Sequence, residues 1–141
     1  MPKPAIESAP PVIRRVLVVE DDDDVRRLIC RLLALYGYVT VDSSNGIGAF
    51  ALLRLTPPDV VLLDMMLPGG VSGFDVVKRM RQHEVWREIP VIPMTAAIDL
   101  EDQIAALQPR FVLRKPFRIE ELLEVLVAAL DEPDGRPTAA V

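Results

Sequence analysis

The fold is decided by the stretch Val60-Val61-Leu62-Leu63-Asp64-Met65-Met66-Leu67-Pro68. Its first four residues are continuously apolar, which is typical of a strand buried on both faces of a parallel sheet. Pro68 stops the strand, and a glycine-rich segment follows it. Asp64 is therefore expected in a loop at the C-terminal end of a buried strand. Open parallel sheets collect ligands and chemistry at that edge.

Composition places the chain among ordinary globular proteins. It has 141 residues, of which 50% are hydrophobic, enough for one domain with a core. The net charge of -5 argues against a nucleic-acid-binding surface. No apolar run is long enough to span a bilayer, and the start Met1-Pro2-Lys3-Pro4 lacks the apolar core of a signal peptide. Cys30 is the only cysteine, so no intramolecular disulfide can form, which suits a reducing compartment. Together these features predict a cytoplasmic protein without nucleic-acid or membrane partners.

Proline content and hydrophobic periodicity divide the chain into three parts. Residues 1–14 contain four prolines and no periodicity, so we predict a flexible N-terminal arm. Residues 15–130 alternate five strands with five helices, and residues 131–141 are predicted to form a flexible tail. The alternation predicts an α/β three-layer sandwich, in which right-handed crossovers build one parallel sheet.

The strands and helices are placed by apolar runs and by apolar stripes at helical spacing. We expect strands near 15–19, 38–41, 60–63, 89–94 and 110–114, and helices near 25–36, 45–55, 73–82, 99–107 and 119–130. Pro93 leaves two alternatives: it sits where no N–H is needed, or it distorts the fourth strand close to Thr95. The last helix carries a second apolar stripe, Leu123, Val127 and Leu130. This stripe either packs in the core or contacts a partner or a second copy.

Polar residues follow four of the five predicted strands. Glu20 and Asp21 come after the first strand, Asp64 after the third, Thr95 after the fourth and Lys115 after the fifth. Because the carboxyl ends of parallel strands share one edge, these side chains can converge. Three converging carboxylates repel one another unless a hard cation such as Mg²⁺ joins them. An ammonium and a hydroxyl then supply donors for phosphoryl oxygens, and together these are the parts that phosphoryl transfer needs.

Four motifs carry a family resemblance: Val18-Val19-Glu20-Asp21-Asp22, Leu63-Asp64-Met65-Met66-Leu67-Pro68, Met94-Thr95-Ala96 and Lys115-Pro116-Phe117. Each is weak alone, but all four in order, each at a strand end, are very specific. With them the chain resembles the receiver domain of bacterial response regulators, the chemotaxis-regulator-like family, over residues 14–130. The resemblance implies the flavodoxin-like sheet order 2-1-3-4-5 and a stand-alone receiver.

The resemblance also implies roles for the acidic residues. Asp64 would be phosphorylated from the phosphohistidine of a sensor histidine kinase, or would exchange phosphate with a histidine phosphotransfer protein. Asp21 would ligate Mg²⁺ (or Mn²⁺) directly and Glu20 through water. The main-chain carbonyl of Met66 would be a further ligand.

The other motif residues receive roles in the same way. Thr95 would bond a phosphoryl oxygen and move on activation, and Lys115 would pair with the phosphoryl group. Pro116 would follow a cis peptide bond. The face made by the fourth helix, fifth strand and fifth helix would carry the signal to a downstream protein, and a homodimer is left open.

The sequence departs from the family pattern in four places. Gly70 is one extra residue in the loop after the acceptor, and Pro93 lies two residues before the threonine. The segment 95–115 is about two residues shorter than usual. The position three before Lys115, often a tyrosine or phenylalanine, holds Val112, with Phe111 one place away. The acceptor chemistry is untouched, but an aromatic switch is not expected in its usual form.

Two alternatives stay open. A phosphatase with an aspartyl-phosphate intermediate would carry a second acid two residues after the nucleophile, where this chain has Met66, so we expect a signalling phosphoacceptor and not an enzyme. A phosphorylation-independent docking domain is the remaining alternative, because the loops are altered. His83, the only histidine, is expected in a loop as a surface residue and not as a catalyst.

Overall fold

The computed structural model describes residues 12–96 and 98–131. Most of the predicted arm (1–14) and tail (131–141) lies outside these residues, so both stay predictions. Within the described residues, no helix combines the length and the hydropathy that a membrane crossing requires.

Five strands and five α-helices alternate along the described chain. They are β1 (Arg15–Val19), α1 (Asp23–Leu35), β2 (Val39–Ser43), α2 (Gly46–Leu55), β3 (Val60–Asp64), α3 (Gly73–Arg81), β4 (Val91–Thr95), α4 (Glu101–Ala106), β5 (Leu113–Arg114) and α5 (Ile119–Leu130). Short 3₁₀ helices at Trp86–Glu88 and Ile98–Leu100 precede β4 and α4. All strand pairs are parallel, in the order β2-β1-β3-β4-β5. The predicted fold class and sheet order are confirmed.

The sheet separates two apolar cores. On one face, α1 and α5 pack through buried residues such as Ile29, Leu33 and Leu126. On the other face, α2, α3 and α4 contribute buried residues such as Leu53 and Met80. β3 lies in the middle of the sheet and is buried along its whole length. This explains the continuous apolar run that precedes Asp64.

The ends of α1 follow the local signals in the sequence. The side chain of Asp22 accepts a hydrogen bond from the backbone N–H of Val25 at 3.0 Å, as an N-cap residue does. Asp23 and Asp24 occupy the first turn, where the helix dipole favours negative charge. Gly37 follows the helix with a φ of 91°, a conformation that glycine adopts at little cost.

β5 is shorter than the predicted strand 110–114, and Pro93 gives the physical reason. The carbonyl groups of Pro90 and Met94 accept hydrogen bonds from the β3 side, whereas that of Thr95 accepts one from the β5 side. Backbone polar groups alternate between neighbours along a strand, so Pro93 faces β5 as Thr95 does. A proline nitrogen cannot donate, and pairing with β5 begins only at Met94. The missing N–H of Pro93 therefore shortens the pairing with β5, whereas β4 itself continues through Pro93 to Thr95.

α4 is also shorter than the predicted helix 99–107. No side chain caps its start at Leu100, and the preceding turn is 3₁₀, a form common at helix ends. Ile104 is buried as expected, whereas Leu100 and Leu107 are only partly buried. The start of α4 therefore has no side-chain cap to stabilise it.

The second stripe of α5 belongs mostly to the core. Leu123 and Leu130 are partly buried against the α1–α5 side of the sheet, and only Val127 is 50% exposed. Core packing therefore explains most of the stripe.

His83, which is predicted to be a surface residue in a loop, is half-buried before β4. Its ring stacks on that of Trp86 with ring centroids 3.9 Å apart. Its Nδ1 accepts backbone hydrogen bonds from Val85 and Trp86, so its role is structural.

Candidate functional site

The strand register brings the predicted site residues to one edge of the sheet. Val19 pairs with Leu63, and Asp64 pairs with Met94. Glu20, Asp64 and Thr95 therefore stand side by side at the ends of adjacent strands. One carboxylate oxygen from each of Glu20, Asp21 and Asp64 lies within 4.8 Å of the others.

Glu20 is the most deeply buried acid of the site, with 1% of its surface exposed. Its Oε1 accepts a hydrogen bond from Lys115 Nζ at 2.6 Å, and its Oε2 accepts one from the backbone N–H of Asp22 at 3.2 Å. The lysine bond is charge-assisted, which makes it one of the stronger contacts of the site. Both carboxylate oxygens are therefore held in place.

Asp64 lies beside this pair and is also buried, with 4% of its surface exposed. Its Oδ1 accepts the backbone N–H of Met66 at 2.9 Å, and its Oδ2 lies 3.4 Å from Lys115 Nζ. Burial raises the pKa of Asp64 to about 7; the Met66 N–H lowers it, the charge of Glu20 raises it and Lys115 lowers it. The metal-free protein thus holds a proton on Asp64 over much of the acidic range.

Lys115 connects the two buried acids. Burial lowers the pKa of its ammonium, but the hydrogen bond to Glu20 and the charge of Asp64 outweigh burial, so the net pKa is raised. The peptide bond between Lys115 and Pro116 is cis, as the family resemblance implied. Lys115 therefore stays a cation that faces both carboxylates.

The remaining predicted site residues surround this centre. Thr95 is 3% exposed at the end of β4, and its carbonyl accepts the backbone N–H of Lys115 at 2.8 Å. Asp21 is exposed, and Met66 is 57% exposed in the loop after Asp64. The site therefore combines a buried interior with an open, acidic mouth.

Arg26 is a supporting residue that the sequence reasoning missed. Its Nη1 donates to the carbonyl of Glu20 at 2.8 Å, while the same guanidinium pairs with Asp23 and Asp42. The spacing of Asp23 and Arg26, three residues apart on a helix, indicated an ion pair. The contact with Glu20 comes only from the fold, because it joins the start of α1 to the end of β1.

Phe111 and Val112 lie near the position at which the family pattern often has an aromatic residue, and they face opposite sides of the sheet. Phe111 packs against the core on the α1–α5 side, whereas Val112 packs against the core on the opposite side. The aromatic ring therefore lies across the sheet from the position that the family pattern assigns to it.

Gly73, the first residue of α3, packs directly against the backbone of Asp64 and Met65. A Cβ atom at this position would lie 2.6 Å from the Cα of Met65 and 2.7 Å from the carbonyl oxygen of Asp64. Both are backbone atoms, so the loop that carries Asp64 would have to move. The close approach of α3 to this loop requires glycine.

Replacing Gly73 by alanine should destabilise the protein by about 1–3 kcal/mol, the usual cost of overpacking. Gly70→Ala is the matched control, because a Cβ at Gly70 meets no atom within 4 Å. Urea unfolding at equilibrium measures both variants. Equal unfolding free energies for the two would show that α3 does not constrain the acceptor loop.

The donor set suits a hard divalent cation. Three carboxylates face one ammonium, so the cluster carries excess negative charge when all its groups are ionised. Carboxylate oxygens are the ligands that Mg²⁺ prefers in proteins. A cation at the open mouth would offset the burial and the charge of Glu20, which together raise the pKa of Asp64.

Comparison with known proteins points to one family. Residues 16–127 match the family described as "Response regulator receiver domain". The phosphate regulon transcriptional regulatory protein PhoB of Escherichia coli is 35% identical over 119 residues, which cover 83% of this chain and 52% of PhoB. Regulatory protein AtoC of the same organism is 39% identical over 121 residues, covering 84% of this chain and 25% of AtoC. The chain spans about half the length of PhoB and about a quarter of the length of AtoC.

Solved structures agree with the sequence matches. The receiver domain of sensor histidine kinase PA1611 from Pseudomonas aeruginosa has a magnesium ion coordinated in its active site cleft. It superposes with a TM-score of 0.79 at 25% identity, covering 86% of this chain and 100% of that one. The receiver domain of a signal transduction histidine kinase from Syntrophus aciditrophicus gives a TM-score of 0.76 at 27% identity. The match covers 83% of this chain and 89% of that domain.

Proposed function

Because the chain belongs to the response regulator receiver domain family, we propose that Asp64 accepts a phosphoryl group from phosphohistidine in a two-component phosphorelay. The donor would be a sensor histidine kinase or a histidine phosphotransfer protein. The observation that carries the proposal is the position of Asp64, whose carboxylate lies among two other acids and 3.4 Å from Lys115 Nζ.

The transfer forms one bond and breaks one. A carboxylate oxygen of Asp64 attacks phosphorus, an O–P bond forms, and the P–N bond to the imidazole of the donor breaks. The Met66 N–H holds Oδ1, which leaves Oδ2 on the side of Lys115. Lys115 and the hydroxyl of Thr95 would donate to the phosphoryl oxygens, the positioning and charge neutralisation that phosphoryl transfer requires.

The acidic cluster would hold Mg²⁺ or Mn²⁺. Glu20, Asp21, Asp64 and the main-chain carbonyl of Met66 would be the ligands, with Glu20 acting through water. When bound, the cation supplies positive charge that keeps Asp64 ionised and offsets the charge of the phosphoryl group. Support comes from the donor set and from the magnesium ion in the PA1611 receiver domain.

Receiver domains are signalling modules, and we propose that this one acts by changing a protein contact. The contact surface would be the face of α4, β5 and α5, on which Arg114 pairs with Glu101 across α4 and β5. A homodimer is one form that the contact could take. A cytoplasmic location belongs to the same proposal, since phosphohistidine donors and the reduced thiol of Cys30 both suit that compartment.

Mass measurement of the intact protein after incubation with acetyl phosphate tests the proposal. In the presence of Mg²⁺ the mass should rise by one phosphoryl group. With EDTA in place of Mg²⁺ the gain should fall at least about tenfold, because no cation then offsets the charge of the incoming phosphoryl group beside Glu20 and Asp64. Absence of any gain, also with a phosphohistidine donor, would contradict the phosphoacceptor function.

A further inference from the structure

A cavity of about 370 Å³ lies at the edge of the sheet opposite to Asp64. Its lining includes Arg14, Asp59 and Pro90, the residues directly before β1, β3 and β4. A strand of five residues separates this edge from the acceptor by about 15 Å. The cavity is therefore distinct from the phosphorylation site, and its volume falls in the range of small-molecule pockets.

The short β5 explains why the cavity exists. Pairing between β4 and β5 begins at Met94, so the residues before Leu113 do not cover the first half of β4. Val91 and Pro93 consequently line the cavity together with Phe111 from the unpaired segment. The opening results from the position of Pro93, a feature of this chain's own sequence.

The interior of the cavity is apolar and reaches both cores. Met80 and Trp86 contribute from the α3 side of the sheet, and Ala129 and Leu130 contribute from the α5 side. Trp86 lines the cavity, although it is only 4% exposed and its ring stacks on His83. An occupant would need an apolar body to replace water there favourably.

The rim of the cavity is basic, although the whole chain carries a net charge of -5. Among the described residues, the lining includes four arginines and two acids: Arg14, Arg81, Arg87, Arg110, Asp59 and Glu88. Arg81 donates to the carbonyl of Leu107, and the guanidinium of Arg110 lies 5.5 Å from the centroid of the Phe111 ring. Asp59 is already engaged by the backbone N–H of Arg15 at 2.7 Å. Glu88 is 3.8 Å from Arg87, and both side chains are more than half exposed, so this pair is weak.

We propose that this cavity binds a small amphipathic carboxylate, with an apolar body of about ten carbons inside and its carboxylate at the arginine rim. The apolar walls favour the hydrocarbon part, and the excess of arginine favours an anionic head over a neutral or cationic one. The site requires neither phosphorylation nor a metal ion, so it stands independently of the proposed function.

Decanoate is a suitable probe, because Trp86 is the only tryptophan and reports directly from the cavity wall. Titration should change its fluorescence saturably. Octanoate should bind about 15-fold more weakly, because two buried methylenes are lost at about 0.8 kcal/mol each. Decan-1-ol should bind at least about threefold more weakly, since it lacks the charge. A signal that never saturates, or equal affinity for all three probes, would overturn the proposal.

Variants locate the binding. Ala129→Leu fills part of the cavity and should weaken decanoate binding at least about tenfold. The double variant Arg14→Gln with Arg87→Gln keeps the walls intact and should weaken it about three- to tenfold, whereas Arg27→Gln, an exposed arginine on α1, should leave it unchanged. Wild-type affinity in both test variants would exclude this cavity as the site. Asp64→Asn should still bind decanoate, which separates this proposal from the phosphoacceptor function.

Discussion

Asp64→Asn is expected to lose the whole phosphoryl label, a change from one group per chain to none. An amide oxygen is a poor nucleophile and would not yield an acyl phosphate, so no partial activity should remain. Asp24→Asn is the matched control, because the Asp24 side chain is fully exposed on α1 and has the same chemistry. Intact mass after acetyl phosphate and Mg²⁺ measures both variants.

The loss should not come from misfolding. Asparagine has nearly the volume of aspartate, and its side-chain oxygen can still accept the N–H of Met66 that Asp64 accepts at 2.9 Å. Asp64→Asn should therefore unfold cooperatively at a temperature no lower than the wild type. Stoichiometric label on a folded Asp64→Asn protein would show that another residue is the acceptor.

A second large effect is expected on the stability of the metal-free protein. The pKa of Asp64 is about 7 in the folded protein, against an ordinary value of 3.8. Between these values the folded state binds more protons than the unfolded state, so the contribution of Asp64 to the unfolding free energy falls as pH rises from about 4 to about 7. Lys115 stays protonated over this range because its pKa is raised, and it adds no slope there.

The size of this effect follows from the shift. About three pKa units correspond to about 4 kcal/mol, fully expressed above pH 7. Asp64→Asn removes the titrating group and should be more stable than the metal-free wild type at pH 8 by up to that amount, with little difference at pH 4. Urea unfolding in EDTA at several pH values measures it. A wild-type curve with the same pH dependence as Asp64→Asn would contradict the burial of an ionising Asp64.

Saturating Mg²⁺ is the complementary condition. Because the cation favours the ionised cluster, the wild type should gain stability at pH 8, by an amount that grows with metal concentration. Asp64→Asn should gain less, since one of its oxygen ligands has lost its charge.

The sequence predicted those parts of the fold that local patterns determine. β3 and its terminal aspartate follow from an uninterrupted apolar run, and α5 follows from its helical stripe. The convergence of Glu20, Asp64 and Lys115 also followed, because the ends of parallel strands share one edge of the sheet. None of these conclusions needed a tertiary contact.

The geometry of the folded chain accounts for what was not predicted. The length of β5 depends on which neighbour Pro93 faces, and this is set by the register of the sheet. His83 is predicted to be a surface residue because no partner is evident near it in the sequence, yet in the folded segment it stacks on Trp86 and accepts its backbone N–H. Arg26 reaches the carbonyl of Glu20 through the angle between β1 and α1, which no spacing rule contains.

The central claim is that Asp64 is the acceptor, and trapping of the acyl phosphate tests it most directly. The protein is phosphorylated with acetyl phosphate and Mg²⁺, reduced with borohydride, which converts an aspartyl phosphate to homoserine, and mapped by tandem mass spectrometry of its peptides. Homoserine should be found at position 64 alone. Homoserine at Asp21, or the reduced product at Glu20 with residue 64 unchanged, would contradict the account.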